Sequence, residues 1–342
     1  MGFLDFIKKK KDAQVLVKEK PKVEIKEEAP SSADEGFNYL YESDDWHAFY
    51  LKMRETVSER PCLCITGKCP DKLRSNFGLK WVHIIWVTSI ETKTPAICVS
   101  PERIEFELTQ SVLNYMRNNT GCAVFVDDIE YLTAVTDFTR VMDFLKSIAD
   151  TSAYTNSSVI VHISPGFFSS MEHSLLQSTF DRTLKLEKTD MRLGTVQTYL
   201  IARMPYPKLV NVINGFGEHG RKLIISLTYP EKLKPYFGTE HDFYFMTNTD
   251  QQVPTIRPFA TDTDFIVAIK RYIEGGGKCV VIDGLECVFS SIDFKRFLTF
   301  IKDITDMSAR DNFKLLCVFN EGVAKKEEQI AVRQRFDYHV TG

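Results

Sequence analysis

Along most of the chain, short and wholly apolar runs alternate with stretches whose apolar residues recur every three or four positions. Runs such as 62–66, 82–88, 123–126 and 159–163 lack the in-out alternation of a strand with one wet face, which predicts strands buried on both sides. Between them, Pro70 stands where it would open a helix, and residues 103–118 keep helical spacing. Phe138, Val141, Met142, Leu145 and Ile148 form one stripe of a helix near 135–152. A further strand is predicted near 184–186. Buried strands alternating with helices predict an α/β fold with a doubly wound, mostly parallel sheet.

The pattern occurs twice. Cys69-Pro70-Asp71-Lys72-Leu73 with Phe77-Gly78 returns as Tyr229-Pro230-Glu231-Lys232-Leu233 with Phe237-Gly238. Farther on, 121–181 and 277–337 share 18 of 61 ungapped positions, where average composition gives about four. Two tandem domains follow, 41–204 and 220–342, joined by a connection at 205–219 that carries Pro205, Pro207, Gly215 and Gly217. Residues 183–187 and 196–202 flank Met191-Arg192-Leu193-Gly194 and predict an antiparallel hairpin at the end of the first copy. The second copy ends at Gly342 and has no room for such a hairpin.

The first 40 residues differ from the rest. In 1–11, Phe3, Phe6 and Ile7 share one helical face flanked by Leu4, followed by Lys8, Lys9, Lys10 and Lys11. Apolar anchors beside a cationic block suit an amphipathic helix at an anionic membrane surface. The competing readings are a frayed, solubilising terminus and a helix that docks on a protein. Phe6 stands where N-myristoylation wants Ser or Thr. Residues 12–40 are charged and poor in apolar side chains, which predicts a disordered linker.

Composition narrows the function. Net charge is -3, and Lys and Arg do not interleave with aromatics in a stripe, so nucleic acid is not an expected partner. No apolar run reaches the ~18 residues of a spanning helix, and no secretory leader pattern opens the chain. The eight cysteines include no Cys-x-x-Cys pair; the cluster Cys62, Cys64 and Cys69 reads as buried free thiols rather than a metal site. The usage suits a reducing cytoplasm.

In doubly wound sheets, ligands bind beyond the carboxyl ends of the strands. There the sequence offers Val124-Phe125-Val126-Asp127-Asp128-Ile129-Glu130 and its counterpart Val280-Val281-Ile282-Asp283-Gly284-Leu285-Glu286. An apolar strand ending in a carboxylate is how P-loop ATPases hold magnesium. Asp127, Asp128 and Asp283 are therefore candidate Mg-nucleotide carboxylates, with Glu130 and Glu286 placed to orient water or a partner. The phosphate cradle is missing. After the first predicted strand of each copy stand Thr66-Gly67-Lys68-Cys69-Pro70 and Leu227-Thr228-Tyr229-Pro230, neither of which is Gly-x-x-x-x-Gly-Lys-[Ser/Thr]. Proline also removes an amide where donors are needed. An apolar strand ending in Asp is a weak motif alone, so the leading expectation for these carboxylates is a structural role, such as capping the next loop.

Three segments carry a resemblance: Gly220-Arg221-Lys222-Leu223-Ile224, Pro230-Glu231-Lys232-Leu233 and Val280-Val281-Ile282-Asp283-Gly284-Leu285-Glu286. They resemble the archaeal family called domain of unknown function 835, most clearly from Gly220 to Val340. The first copy looks like a more diverged member, with Asp128 in place of the Gly. It also resembles RecA-fold ATPases of the KaiC type, from Pro61 to about Met204. These resemblances imply an archaeal cytosolic protein in signalling or assembly.

The expectation is a non-catalytic, membrane-tethered scaffold or regulator in the cytoplasm, peripheral on the inner face of the membrane. Degenerate RecA/KaiC-like domains would contact protein partners or a second copy, without a metal or other cofactor. The alternative is a nucleotide-binding signalling protein or ATPase with a rewired phosphate site.

Overall fold

In the computed structural model, strand β1 is Tyr39–Glu42, a buried four-residue run that begins inside the segment expected to be linker. The residues described are 36–57, 60–90, 96–187, 196–216, 220–249 and 251–341. Helix α1 (Trp46–Val57) follows β1, then β2 (Cys62–Thr66), α2 (Pro70–Phe77), β3 (His83–Val87), β4 (Ile97–Val99) and α3 (Thr109–Asn118). Next come β5 (Ala123–Val126), α4 (Ile129–Val135), α5 (Phe138–Thr155), β6 (Ser158–Ile163), α6 (Ser170–Thr179) and β7 (Arg182–Lys185). The helix expected near 135–152 is α5, shifted by three residues at each end. The Asp137 side chain accepts the Arg140 amide and caps α5, which sets its start.

The series then restarts. It runs β8 (Thr198–Ala202), α7 (Tyr206–Phe216), β9 (Leu223–Ser226), α8 (Pro230–Phe237), β10 (Asp242–Met246), β11 (Thr255–Ile256) and α9 (Ile266–Glu274). It continues with β12 (Cys279–Asp283), α10 (Leu285–Ser291), α11 (Phe294–Asp311), β13 (Lys314–Phe319), α12 (Lys326–Arg333) and β14 (Tyr338–Val340). The strand order is β4-β3-β2-β5-β6-β1-β7 in one seven-stranded sheet and β11-β10-β9-β12-β13-β8-β14 in the other. Adding seven to each strand number of the first sheet gives the second. Every described pairing is parallel.

Two expectations need correction. The antiparallel hairpin after the first copy does not form: β7 pairs in parallel with β1, and residues 198–202 pair with β13 and β14 in the second sheet. A last strand beside the first strand of its own sheet completes each lobe, so β8 belongs to lobe two. Much of the expected connection at 205–219 is helix α7. Pro205 and Pro207 fit there because the first turn of a helix has no internal partner for the missing amides.

The described residues, all from 36 onward, form one compact unit. On one face of sheet one, Cys62, Cys64, Phe125 and Ile160 pack with Phe49, Tyr50, Leu73 and Phe77 of α1 and α2. The alternate residues Leu63, Ile65, Val124 and Val161 face a core that continues without break to Leu223, Ile225, Val280 and Ile282 of lobe two. Helix α11 of lobe two packs on α4 of lobe one. Among the described residues, no helix is long and apolar enough to cross a membrane. The candidate lipid-contact residues Phe3, Leu4, Phe6, Ile7 and Lys8 to Lys11, and most of the expected linker, lie outside the described residues.

Candidate functional site

Strands β2 and β5 are neighbours, yet the chain leaves β2 toward β3 on one side and leaves β5 toward β6 on the other. This is a topological switch point, where doubly wound sheets open a crevice at the carboxyl edge. It brings Thr66, Gly67 and Lys68 beside Asp127 and Asp128 in lobe one. In lobe two it brings Ser226, Leu227 and Thr228 beside Asp283 and Gly284.

Asp127 is buried and fully engaged. The Tyr50 hydroxyl donates to its Oδ2 at 2.7 Å and lies 2.6 Å from Thr66 Oγ1. His162 Nδ1 is 2.9 Å from Asp127 Oδ1, and His162 Nε2 is 3.0 Å from the Ser43 carbonyl oxygen. A carboxylate and a carbonyl both accept, an arrangement that favours a ring protonated on both nitrogens. Burial alone would lower the His162 pKa; the bond to Asp127 and its charge outweigh burial and raise it. Burial raises the pKa of Glu130, which accepts the Ser164 amide.

Asp128 holds the two lobes together. It stands in the left-handed region at φ 65°. Its Oδ2 accepts the Gly67 amide at 2.7 Å, and its Oδ1 accepts from Lys68 Nζ at 3.4 Å and from Arg335 Nη2 of lobe two. Burial would raise the Asp128 pKa, but the charges of Arg335 and Lys68 prevail and hold it below the usual carboxylate range. Around this pair, Lys68 Nζ donates to the Gln334 carbonyl at 3.0 Å and Gln334 Nε2 donates to Ser164 Oγ at 2.7 Å. Lys72 pairs with Asp337, and Thr88 Oγ1 donates at 2.7 Å to Asp306, which also pairs with buried Lys302. Gly67 is required by close approach: a Cβ would lie 2.6 Å from Asp128 Oδ2 and 3.0 Å from Lys302 Cε.

Lobe two repeats the clamp with other residues. Asp283 Oδ2 accepts from the Tyr206 hydroxyl at 2.6 Å and from Ser226 Oγ at 2.8 Å, and its Oδ1 accepts from Arg203 Nη1 at 2.5 Å. Glu286 lies 3.6 Å from Arg203 and accepts the Asn320 amide at 3.3 Å. Each aspartate thus accepts from a tyrosine hydroxyl, with His162 as a further partner in lobe one and Arg203 in lobe two; the strand hydroxyl bonds the tyrosine in lobe one (Thr66) and the aspartate itself in lobe two (Ser226). The sequence pattern pointed to the carboxylates but not to these partners, which come from distant segments.

All five candidate carboxylates therefore hold protein groups, and none of them caps the loop that follows. The free space bounded by Gly67, Lys68, Lys302, Arg335 and Asp337 is about 30 Å³, room for one or two waters against the ~300 Å³ or more of a small-molecule site. The first crossovers offer no cradle either: Ser43-Asp44-Asp45 follows β1 and Arg203-Met204-Pro205 follows β8, both without glycine. Among the described residues, no three His, Cys, Asp or Glu side chains are grouped to hold a metal, and Cys62, Cys64 and Cys69 are buried free thiols.

Residues 44–180 match a family model described as Protein of unknown function (DUF835). The match supports the resemblance read from the sequence, and it falls on lobe one, the copy expected to be the more diverged. It runs from the turn before α1 to the end of α6. No curated protein matches the chain.

Proposed function

We propose that this chain is a non-catalytic scaffold or regulator of RecA/KaiC-like ancestry that acts through protein contacts rather than phosphate chemistry. One observation carries the reading: Arg335 of lobe two is seated against Asp128 at the switch point of lobe one. The edge where a nucleotide would lie is a protein–protein contact within one chain. Lys68, the residue resembling the end of a phosphate loop, donates to Asp128 and to the Gln334 carbonyl. The same kind of edge in lobe two is the surface we assign to a partner or a second copy. The segment 1–11 would bring the body to an anionic membrane.

Calorimetry and a turnover assay with ATP, GTP and magnesium test the reading, and no heat and no hydrolysis are expected. Hydrolysis that disappears in Asp127→Ala or Asp283→Ala would overturn it. The rewired-nucleotide alternative has one observation in its favour. A cavity of about 330 Å³ lies against Asp44, Trp46, Lys326 and Arg333, just past the carboxyl end of β1. Saturable nucleotide binding that quenches Trp46 would decide for it.

A further inference from the structure

We propose that lobe two binds a small organic anion in a groove at the amino edge of its sheet, opposite the switch point. The groove is about 650 Å³, within the range of small-molecule sites. Its floor is apolar, made by Leu223, Phe243 and Ala268 at the starts of β9 and β10 and on α9.

Its rim is cationic. Arg221 and Lys234 are each within 2.5 Å of a carboxylate, on Asp242 and Glu231. Arg271 and Lys278 are exposed and make no ion pair or side-chain hydrogen bond with the described residues. Lobe one has a groove of about 350 Å³ in the same place, but buried Cys122 stands at the position equivalent to Lys278.

His241 gives the groove a reporter. The His241 side chain, which lines the groove, is only 4% exposed. Its Nδ1 is buried with no hydrogen-bond partner among the described residues, and Nε2 is 3.8 Å from the Glu240 carboxylate. Burial lowers the pKa of His241, which favours a neutral ring able to donate or accept.

The wall beside it is fixed. Tyr272 donates to the Arg221 carbonyl at 2.6 Å, and a Cβ at Gly277 would lie 2.3 Å from the Tyr272 ring. The site therefore suits an anionic head at the rim that carries Arg271 and Lys278, and an apolar or aromatic body on the floor.

The test uses the full chain with phenyl phosphate, benzoate and inorganic phosphate, read by calorimetry and by the His241 ring resonances. Saturable binding of phenyl phosphate or benzoate is expected, at least tenfold tighter than inorganic phosphate, with a shift of the His241 signals. The stronger of the two names the head group. Arg271→Gln with Lys278→Gln changes only exposed side chains, so the fold should survive, and it should weaken binding at least tenfold. No saturable binding of either organic probe, or equal affinity in the double variant, overturns the proposal. So does inorganic phosphate binding as tightly as the organic anions. The carboxylates of the opposite edge play no part, so this result and the test of the proposed function stand apart.

Discussion

Asp128 occupies a left-handed backbone position at φ 65°, where the equivalent residue of lobe two is Gly284 at φ 100°. Glycine takes that region without strain, while a residue with a Cβ does so at some cost. The carboxylate explains its presence, because it neutralises an arginine that is 2% exposed. Removing one member of a buried pair costs about 3–5 kcal/mol, whereas replacing both with apolar groups is often neutral. Asp128→Asn should therefore lower the unfolding free energy by about that amount in urea. Adding Arg335→Met should restore most of the loss, and a double variant as unstable as the single one would remove this account. The sequence pointed to Asp128 but not to Arg335, which lies 207 residues away. What was legible at this scale is the repeat, and its identities are largely folding devices. Asp137 and Asp293 cap α5 and α11, and Asn156 and Asn312 end those helices in the left-handed region. Asp181 accepts the Asn38 amide and Asp337 accepts those of Gln197 and Thr198, tying each last strand to the first.

The elements read correctly from the sequence are those with long apolar runs or a long helical stripe. The ones missed are short or carry contrary residues. β1 has four residues and follows a charged segment, and α7 has Pro207 in its first turn with Pro205 just before it. A strand's partner is a tertiary choice that no local pattern records, which is why 196–202 was assigned to the wrong sheet. Helix α11 adds a titratable element. Burial, and then the neighbouring charge of Asp306, push Asp303 up to about 7, and its Oδ1 has no hydrogen-bond partner among the described residues. A carboxyl whose folded pKa exceeds its unfolded value of ~4 contributes stability while protonated. That contribution is lost as pH rises through the folded value. Between pH 5 and 8 the chain should lose thermal stability through this group, by a few degrees. Asp303→Asn cannot ionise, and should flatten that part of the melting-temperature profile and melt higher than the parent at pH 8. Parallel profiles for parent and variant would remove Asp303 as the cause.

At the scale of the whole molecule, the lobes meet head to tail rather than face to face. The carboxyl edge of lobe one meets α11 and the α12–β14 turn of lobe two, so the two copies use different surfaces. The equipment follows that order. Thr179 stands in lobe one where Arg335 stands in lobe two, and Gly284 stands where Asp128 does. The ion pair can form in only one direction, which fixes which copy covers which. The seam also contains Trp86, fully buried, with Lys302 Nζ 5.6 Å from its ring centre and the Gly67 carbonyl accepting from its Nε1 at 3.1 Å. A lobe one left alone would expose this ring and leave Asp128 and Lys68 without Arg335 and Gln334. The continuous apolar core predicts that neither lobe keeps its stability without the other. The full chain should therefore unfold in one transition, coincident by far-UV circular dichroism and by tryptophan fluorescence. Residues 36–187 expressed alone should melt well below it, with red-shifted tryptophan emission already in the folded baseline. Two separated transitions in the full chain, or an isolated lobe that melts at the parental temperature, would show that the seam joins two self-sufficient domains and that the Arg335 contact is incidental to the fold.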